Sequence, residues 1–436
     1  MKKTYYPQID ETIYYETLDN GLFVCLLPKN DFTLTCGVYA TSFGNLDCNG
    51  KIQVNGKYEK MQSGMAHFLE HRLFDNKKGN VIDLFADLGA SCNALTSYNK
   101  TAYYFTTSRN VNECVEILLD FVSELNVTKE SVEKEKDIII QELLMYQDNP
   151  DIVLTTNILK NAYHYDMIRD DIGGDTNTVK ATTLELLLSA HKTFYHPSNM
   201  IFVLIGNFDP TKMMQNIRHN QNKKMTAKPL KYQKFKKIEP REVVKEFESI
   251  NMDVAFDKVA ILYKLPKVRV NVTSKKLELK ALHGQVVLDA MFSSSGEVNQ
   301  YLIEEGVIPR SVNASYINEF RTSNFVLITA DVLDVDRFIK IVTTAMDDFE
   351  KYLTKGKVEN SKKALMGRFI TSLNNTERIG VEVANDYFKG LDYLDKPDII
   401  EEISFNGAKK MGEKFKKAPR TVYVIKKNEQ GSESSD

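Results

Sequence analysis

The chain repeats its own outline, which confines it to folds made of two units on one plan. In the first half the strand-like run Thr101-Ala102-Tyr103-Tyr104-Phe105-Thr106-Thr107 leads into an amphipathic helix from Val111 to Leu125. In the second, Asn324-Phe325-Val326-Leu327-Ile328-Thr329 leads into a helix from Val335 to Leu353. Each half closes on a strand after a long helical stretch, Met200 to Gly206 in one and Arg420 to Lys426 in the other. At 436 residues the chain exceeds what one compact core organises. The expected class is α+β: two homologous α/β units, each a mixed sheet with helices packed on one face, related by a pseudo-twofold duplication.

Residues 221–250 turn polar and basic, with Asn222-Lys223-Lys224 and Lys231 to Lys237 interrupted by Pro229 and Pro240. That composition suits a linker between a first domain, 1–220, and a second, degenerate one, 251–436. A nucleic-acid patch is the sharper reading of those lysines, but acidic residues follow at once and no glycine-aromatic motif accompanies them. The overall balance agrees, since 57 Lys and Arg against 59 Asp and Glu leave a net charge of −2 and no pull toward nucleic acid or anionic membranes. No apolar run spans a bilayer, and Met1-Lys2-Lys3-Thr4-Tyr5-Tyr6-Pro7 lacks the apolar stretch of an export signal. The five cysteines contain no CxxC, so a cytoplasmic protein is expected.

Periodicity also predicts two strands between Gly21 and Ala40, a helix from Asn80 to Leu88 and a strand from Ala90 to Thr96. Further helices follow at Lys129 to Met145, Leu154 to Tyr163 and Thr183 to Tyr195, while the polar stretch Gly44 to Lys60 reads as a surface loop.

The chemistry concentrates in His67-Phe68-Leu69-Glu70-His71. On a helix the two histidines lie about one turn apart on one face, close enough to grip a metal ion, with Glu70 beside them. Met65, Phe68, Leu69, Leu73 and Phe74 recur at helical spacing, so the polar triplet belongs to a largely buried helix. Burying two imidazoles and a carboxylate without partners costs several kcal/mol, and a metal supplies partners for all three. The order HxxEH is that of the inverzincins.

A catalytic zinc takes three protein ligands and keeps a fourth position for water. The helix from Lys129 offers Glu142, set in Ile138-Ile139-Ile140-Gln141-Glu142-Leu143-Leu144-Met145, where a carboxylate among apolar neighbours needs a strong partner. Glu135, seven residues earlier, shares its face and is assigned as its support. A salt-bridged helix without metal is the alternative for these two. With one Zn2+ per chain, water would lose its proton to Glu70 and attack a carbonyl, which makes peptide-bond hydrolysis the natural outcome. The second half has no such site: matching Leu73-Phe74 to Met291-Phe292 puts Gln285, Leu288 and Asp289 where His67, Glu70 and His71 stand.

At these residues the chain resembles the pitrilysin and insulinase family of zinc metallopeptidases, in particular the bacterial YmfH-like members of about this length. In that family HxxEH gives two ligands and the base, and the later of two glutamates seven apart gives the third ligand, a pattern that Glu135 to Glu142 fits. The resemblance implies that Gly89-Ala90-Ser91-Cys92-Asn93-Ala94-Leu95-Thr96 is the strand whose edge takes up an extended substrate, through Ser91, Cys92, Asn93 and Ala94. Phe194-Tyr195-His196-Pro197-Ser198-Asn199-Met200 is a further hallmark, read as a helix stop with His196 non-catalytic. Active members also draw an arginine and a tyrosine from a second, silent region to hold substrate and the developing oxyanion, and Asn299 to Ile308 has no such pair. The resemblance therefore implies an endopeptidase for short or unfolded peptides, leader peptides among them. It would work as one subunit of a heterodimer whose homologous partner lacks HxxEH and supplies Arg and Tyr. A non-catalytic structural or peptide-binding subunit, and a zinc hydrolase of other substrates, are the remaining readings.

Overall fold

The computed structural model describes residues 1–76, 79–224, 228–229, 231–235, 237–267, 273–318 and 323–428. The first unit holds β1 (Lys2–Tyr6), β2 (Glu11–Thr17), β3 (Phe23–Pro28), β4 (Thr35–Thr41), β5 (Gly50–Val54), β6 (Lys57–Lys60), the two-residue β7 (Asp75–Asn76) and β8 (Gly79–Asn80), β9 (Ala90–Thr96), β10 (Thr101–Thr107), β11 (Met200–Gly206) and β12 (Tyr232–Lys234). The second holds β13 (Phe247–Met252), β14 (Asp257–Leu265), β15 (Asn313–Asn318), β16 (Asn324–Val332) and β17 (Arg420–Lys427).

The two main sheets follow one plan. Their strand orders are β1-β2-β3-β11-β4-β10-β9 and β13-β17-β14-β16-β15. From β3 onward the correspondence is one for one: β11 runs parallel to β3 as β17 does to β13, and every later neighbour is antiparallel. Strand β9 is thus an edge strand in the first sheet, and β15 is its counterpart in the second.

The units are not the contiguous stretches that the basic segment suggests. Unit 1 comprises Met1–Leu143, Asp171–Lys236 and Arg368–Lys396, and unit 2 comprises Leu144–Asp170, Lys237–Gly367 and Pro397–Asp436. Each sheet borrows a helix from the other half of the sequence. Helix Thr376–Lys389 lies on β4 and β11, and helix Pro150–Ala162 lies on β14 and β17, where Asn157 Nδ2 donates to the Tyr423 hydroxyl at 2.9 Å. At Gly380 an added Cβ would stand 2.6 Å from Val38 and 3.0 Å from Ile205, so glycine permits the close approach. Alternate residues of β4 face opposite ways, and its neighbouring Tyr39 meets Ser123 on the Val111–Ser123 helix. Helices therefore cover both faces of this sheet, where one covered face is expected from the sequence, and β4 and β11 are buried at every position.

Two further expectations are corrected. The 221–250 segment is not simply a linker, because β12 pairs with β5 and β13 pairs with β17. Nor is Gly44 to Lys60 a surface loop: it forms β5 and β6 and buries Asn45, Asp47, Ile52 and Val54. Its polar composition hid this, because Tyr232, whose hydroxyl donates to the Asp47 carbonyl at 2.8 Å, arrives from far along the chain.

Candidate metal centre

Helix Met65–Leu73 carries the HxxEH residues and buries Met65, Ala66, Phe68, Leu69 and Leu73. Its start is fixed by backbone contact. Gly64 has φ +88°, and an added Cβ would lie 2.3 Å from the Gly173 carbonyl oxygen, so glycine is required on both counts. Asn45 ties the same place together, accepting from the Gly64 N–H at 3.0 Å and donating to the Asp171 carbonyl at 3.0 Å.

The rings of His67 and His71 lie 4.5 Å apart between centroids. Helix Lys129–Gln147 brings Glu142 to them, with Oε2 at 3.8 Å from His67 Nε2 and 3.6 Å from His71 Nε2. One ligand atom from each of the three residues lies within 4.8 Å of the others. These separations exceed a hydrogen bond and approach the spacing of about 3.4 Å between ligands in a tetrahedral zinc site, so the donor set fits that ion. The reason given for Glu142 from sequence is corrected, however. Ile138, Leu144 and Met145 are exposed, so this carboxylate is not immersed in apolar side chains.

Glu135 is buried on the same helix. Its Oε1 meets His71 Nδ1 at 3.0 Å, and its Oε2 accepts from Arg72 Nη1 at 2.5 Å. Arg72 Nη2 continues to Asp75 at 2.5 Å. Burial opposes the charge on Glu135, but the bonds from His71 and Arg72 outweigh it and hold the carboxyl below its ordinary range. Burial likewise acts to lower His71, yet the Glu135 bond and charge prevail and its imidazole is raised. His67 has no such partner at its buried Nδ1, and burial followed by repulsion from His71 pushes it down to about 4. Burial raises the Glu70 carboxyl, tempered by a 2.5 Å bond from Thr96 Oγ1.

Sequence pattern alone does not single out Thr96 or Arg72. Arg72 leaves a visible signal, a charge directly after HxxEH in an otherwise buried helix. Thr96 leaves none, since only the packing of helix Met65–Leu73 on β9 places it beside Glu70. Ser91, Cys92, Asn93 and Ala94 lie on edge strand β9, with Ser91 and Asn93 exposed. His196 caps the short turn Pro197–Asn199 through Ser198 and is not among the residues that converge with Glu142.

Comparison with known proteins gives this geometry its family. The insulinase (peptidase family M16) description matches residues 55–176, and the M16 inactive-domain description matches 181–365. The zinc protease YmfH of Bacillus subtilis is 33% identical over 406 residues, covering 93% of this chain and 94% of that one. The chain belongs to peptidase family M16. An M16-like peptidase from Alicyclobacillus acidocaldarius, of known crystal structure, superposes with a TM-score of 0.89 at 27% identity, covering 97% of this chain and 99% of that one. The mitochondrial-processing peptidase subunit beta of Mus musculus is 27% identical over 204 residues, 45% of this M16 chain and 39% of that subunit. His67, Glu70, His71 and Glu142 all fall inside the 55–176 match, and residues 237–365 of the second unit fall in the inactive-domain match. Among the described residues, no helix is long and apolar enough to cross a membrane.

Proposed function

We propose that this chain is a zinc-dependent endopeptidase for short or unfolded peptides, acting in the cytoplasm as the metal-bearing subunit of a heterodimer. The observation that carries the reading is the convergence of His67, His71 and Glu142 beside Glu70. Zinc, when bound, would lower the pKa of water and polarise a carbonyl. His67 and His71 present imidazole nitrogens, Glu142 a carboxylate, and Glu135 keeps the His71 ring turned toward the site by holding its Nδ1. Glu70 takes a proton from the attacking water and returns it to the leaving amine, and the raised pKa of its buried carboxyl suits both tasks. Thr96 fixes the direction in which that carboxyl points.

Edge strand β9 supports the peptide assignment, because an extended chain can continue the sheet there with little demand on side chains. The heterodimer rests on the lack of an arginine and tyrosine pair in Asn299 to Ile308, and on likeness to a relative that is named as a subunit. The cysteines are free, in keeping with a reducing compartment. The test is cleavage of a mixed peptide pool by the wild type and by Glu70→Gln, each with and without a co-expressed homologue lacking HxxEH. Zinc-dependent cleavage that needs both Glu70 and the second chain is expected. Undiminished cleavage by Glu70→Gln would remove the base, and full activity of the lone monomer would remove the heterodimer.

A further inference from the structure

The second unit repeats the edge strand of the first but fills its edge. Helix Ser274–Phe292 packs on β15 as helix Met65–Leu73 packs on β9. Gly284 sets the approach: an added Cβ would lie 2.9 Å from the Tyr316 ring. The adjacent Gln285 then lays its side-chain amide against the backbone of β15. Its Oε1 accepts from the Tyr316 N–H at 3.0 Å, and its Nε2 donates to the Ala314 carbonyl at 3.2 Å. One donor and one acceptor on residues two apart is the pattern that a neighbouring strand would satisfy.

A third bond holds the amide in place. Nε2 also donates to Asp289 Oδ1 at 2.8 Å, one helical turn along. In the sequence match Gln285 and Asp289 stand where His67 and His71 stand in the first unit. On β9 the comparable bond is local, Asn93 Oδ1 accepting from the next residue's N–H at 2.8 Å, and an incoming chain displaces it by turning one exposed side chain.

We propose that Gln285 is a strand mimic that keeps the β15 edge closed, so that an extended peptide pairs with β9 and not with its duplicate. An open edge invites pairing by any extended chain. The Gln285 amide is tethered to the unit and competes at high effective concentration, whereas a peptide arrives dilute and must first order its backbone. The degenerate positions of the second unit thus have a use of their own: they restrict peptide to one sheet. This inference does not depend on the metal.

The test uses the full chain carrying Gln285→Ala, with Gln285→Met as a second variant of the same length that neither accepts from the Tyr316 N–H nor donates to the Ala314 carbonyl. Hydrogen exchange is read at the Tyr316 amide, and a short unstructured peptide with a photo-crosslinker reports where it pairs. Both variants should exchange Tyr316 roughly tenfold faster than wild type and gain cross-links at residues 313–318 that the wild type lacks. Unchanged exchange would overturn the role of Gln285. So would wild-type cross-linking at 313–318, or fast exchange in the variants without cross-links there. Cross-links at 90–96 report separately on peptide pairing at β9, so failure of that reading leaves the Tyr316 result interpretable.

Discussion

Glu135→Gln should weaken zinc binding without removing any ligand. Glu135 is only 7% exposed, and it accepts one bond from His71 and one from Arg72. Bonds to a charged group contribute about 1.5–3 kcal/mol each, and glutamine keeps the shape while offering one neutral acceptor in place of two charged ones. His71 then loses the anion that fixes its ring and raises its basicity, so zinc affinity should fall by about 10–100-fold, or about 1.4–2.7 kcal/mol. Arg72, 4% exposed, is left with Asp75 alone, so the metal-free protein should also lose about 2–4 kcal/mol of stability. Competition with a chromophoric chelator measures the first effect, and denaturant unfolding of the metal-free protein the second. If stability falls while zinc affinity stays within twofold of wild type, Glu135 merely anchors Arg72 and the positioning argument fails.

Two further outcomes follow from single contacts. Thr96→Val removes the bond to Glu70 at nearly constant volume, so kcat should drop roughly tenfold with zinc content unchanged. Because that bond lowers the Glu70 pKa, its loss should move the acid limb of the pH–rate profile upward, and a shift in the other direction would contradict the geometry. Buried His191, whose Nε2 meets the Val122 carbonyl at 3.0 Å, is pushed down to about 4 by burial. The unfolded chain takes up a proton below about pH 6.5 that the folded chain refuses, so stability should fall as pH drops from there toward 4, by on the order of 3 kcal/mol. His191→Gln should flatten stability over that window, and an unchanged slope in chemical denaturation would refute the assignment.

Local pattern carried much of the fold. The limits of β9 and β10 are legible because Asn99-Lys100 marks a turn between two runs with strand character, and the likeness of the halves shows in their repeated strand–helix order. The exchange of helices is not legible. An amphipathic stripe on Thr376–Lys389 says that a face must be buried, yet not against which sheet, and that choice depends on how Gly380 fits over Val38 and Ile205. Strand β6 is exposed at every position, so no hydrophobic alternation announces it. At the metal centre, HxxEH could be read because helix spacing converts sequence into geometry. The apolar setting that the sequence suggests for Glu142 does not form, since its neighbours Ile138, Leu144 and Met145 face outward. Thr96 depends on how helix Met65–Leu73 packs on β9, a long-range contact that residue types alone do not encode.

The most direct test of the account is zinc stoichiometry by elemental analysis after dialysis at micromolar free zinc, for wild type, Glu70→Gln and Glu142→Gln. One zinc per chain is expected in the first two and a loss in the third, because Glu142 supplies the only carboxylate among the three converging ligands. Retention of one zinc per chain by Glu142→Gln, or none in the wild type, would contradict the site.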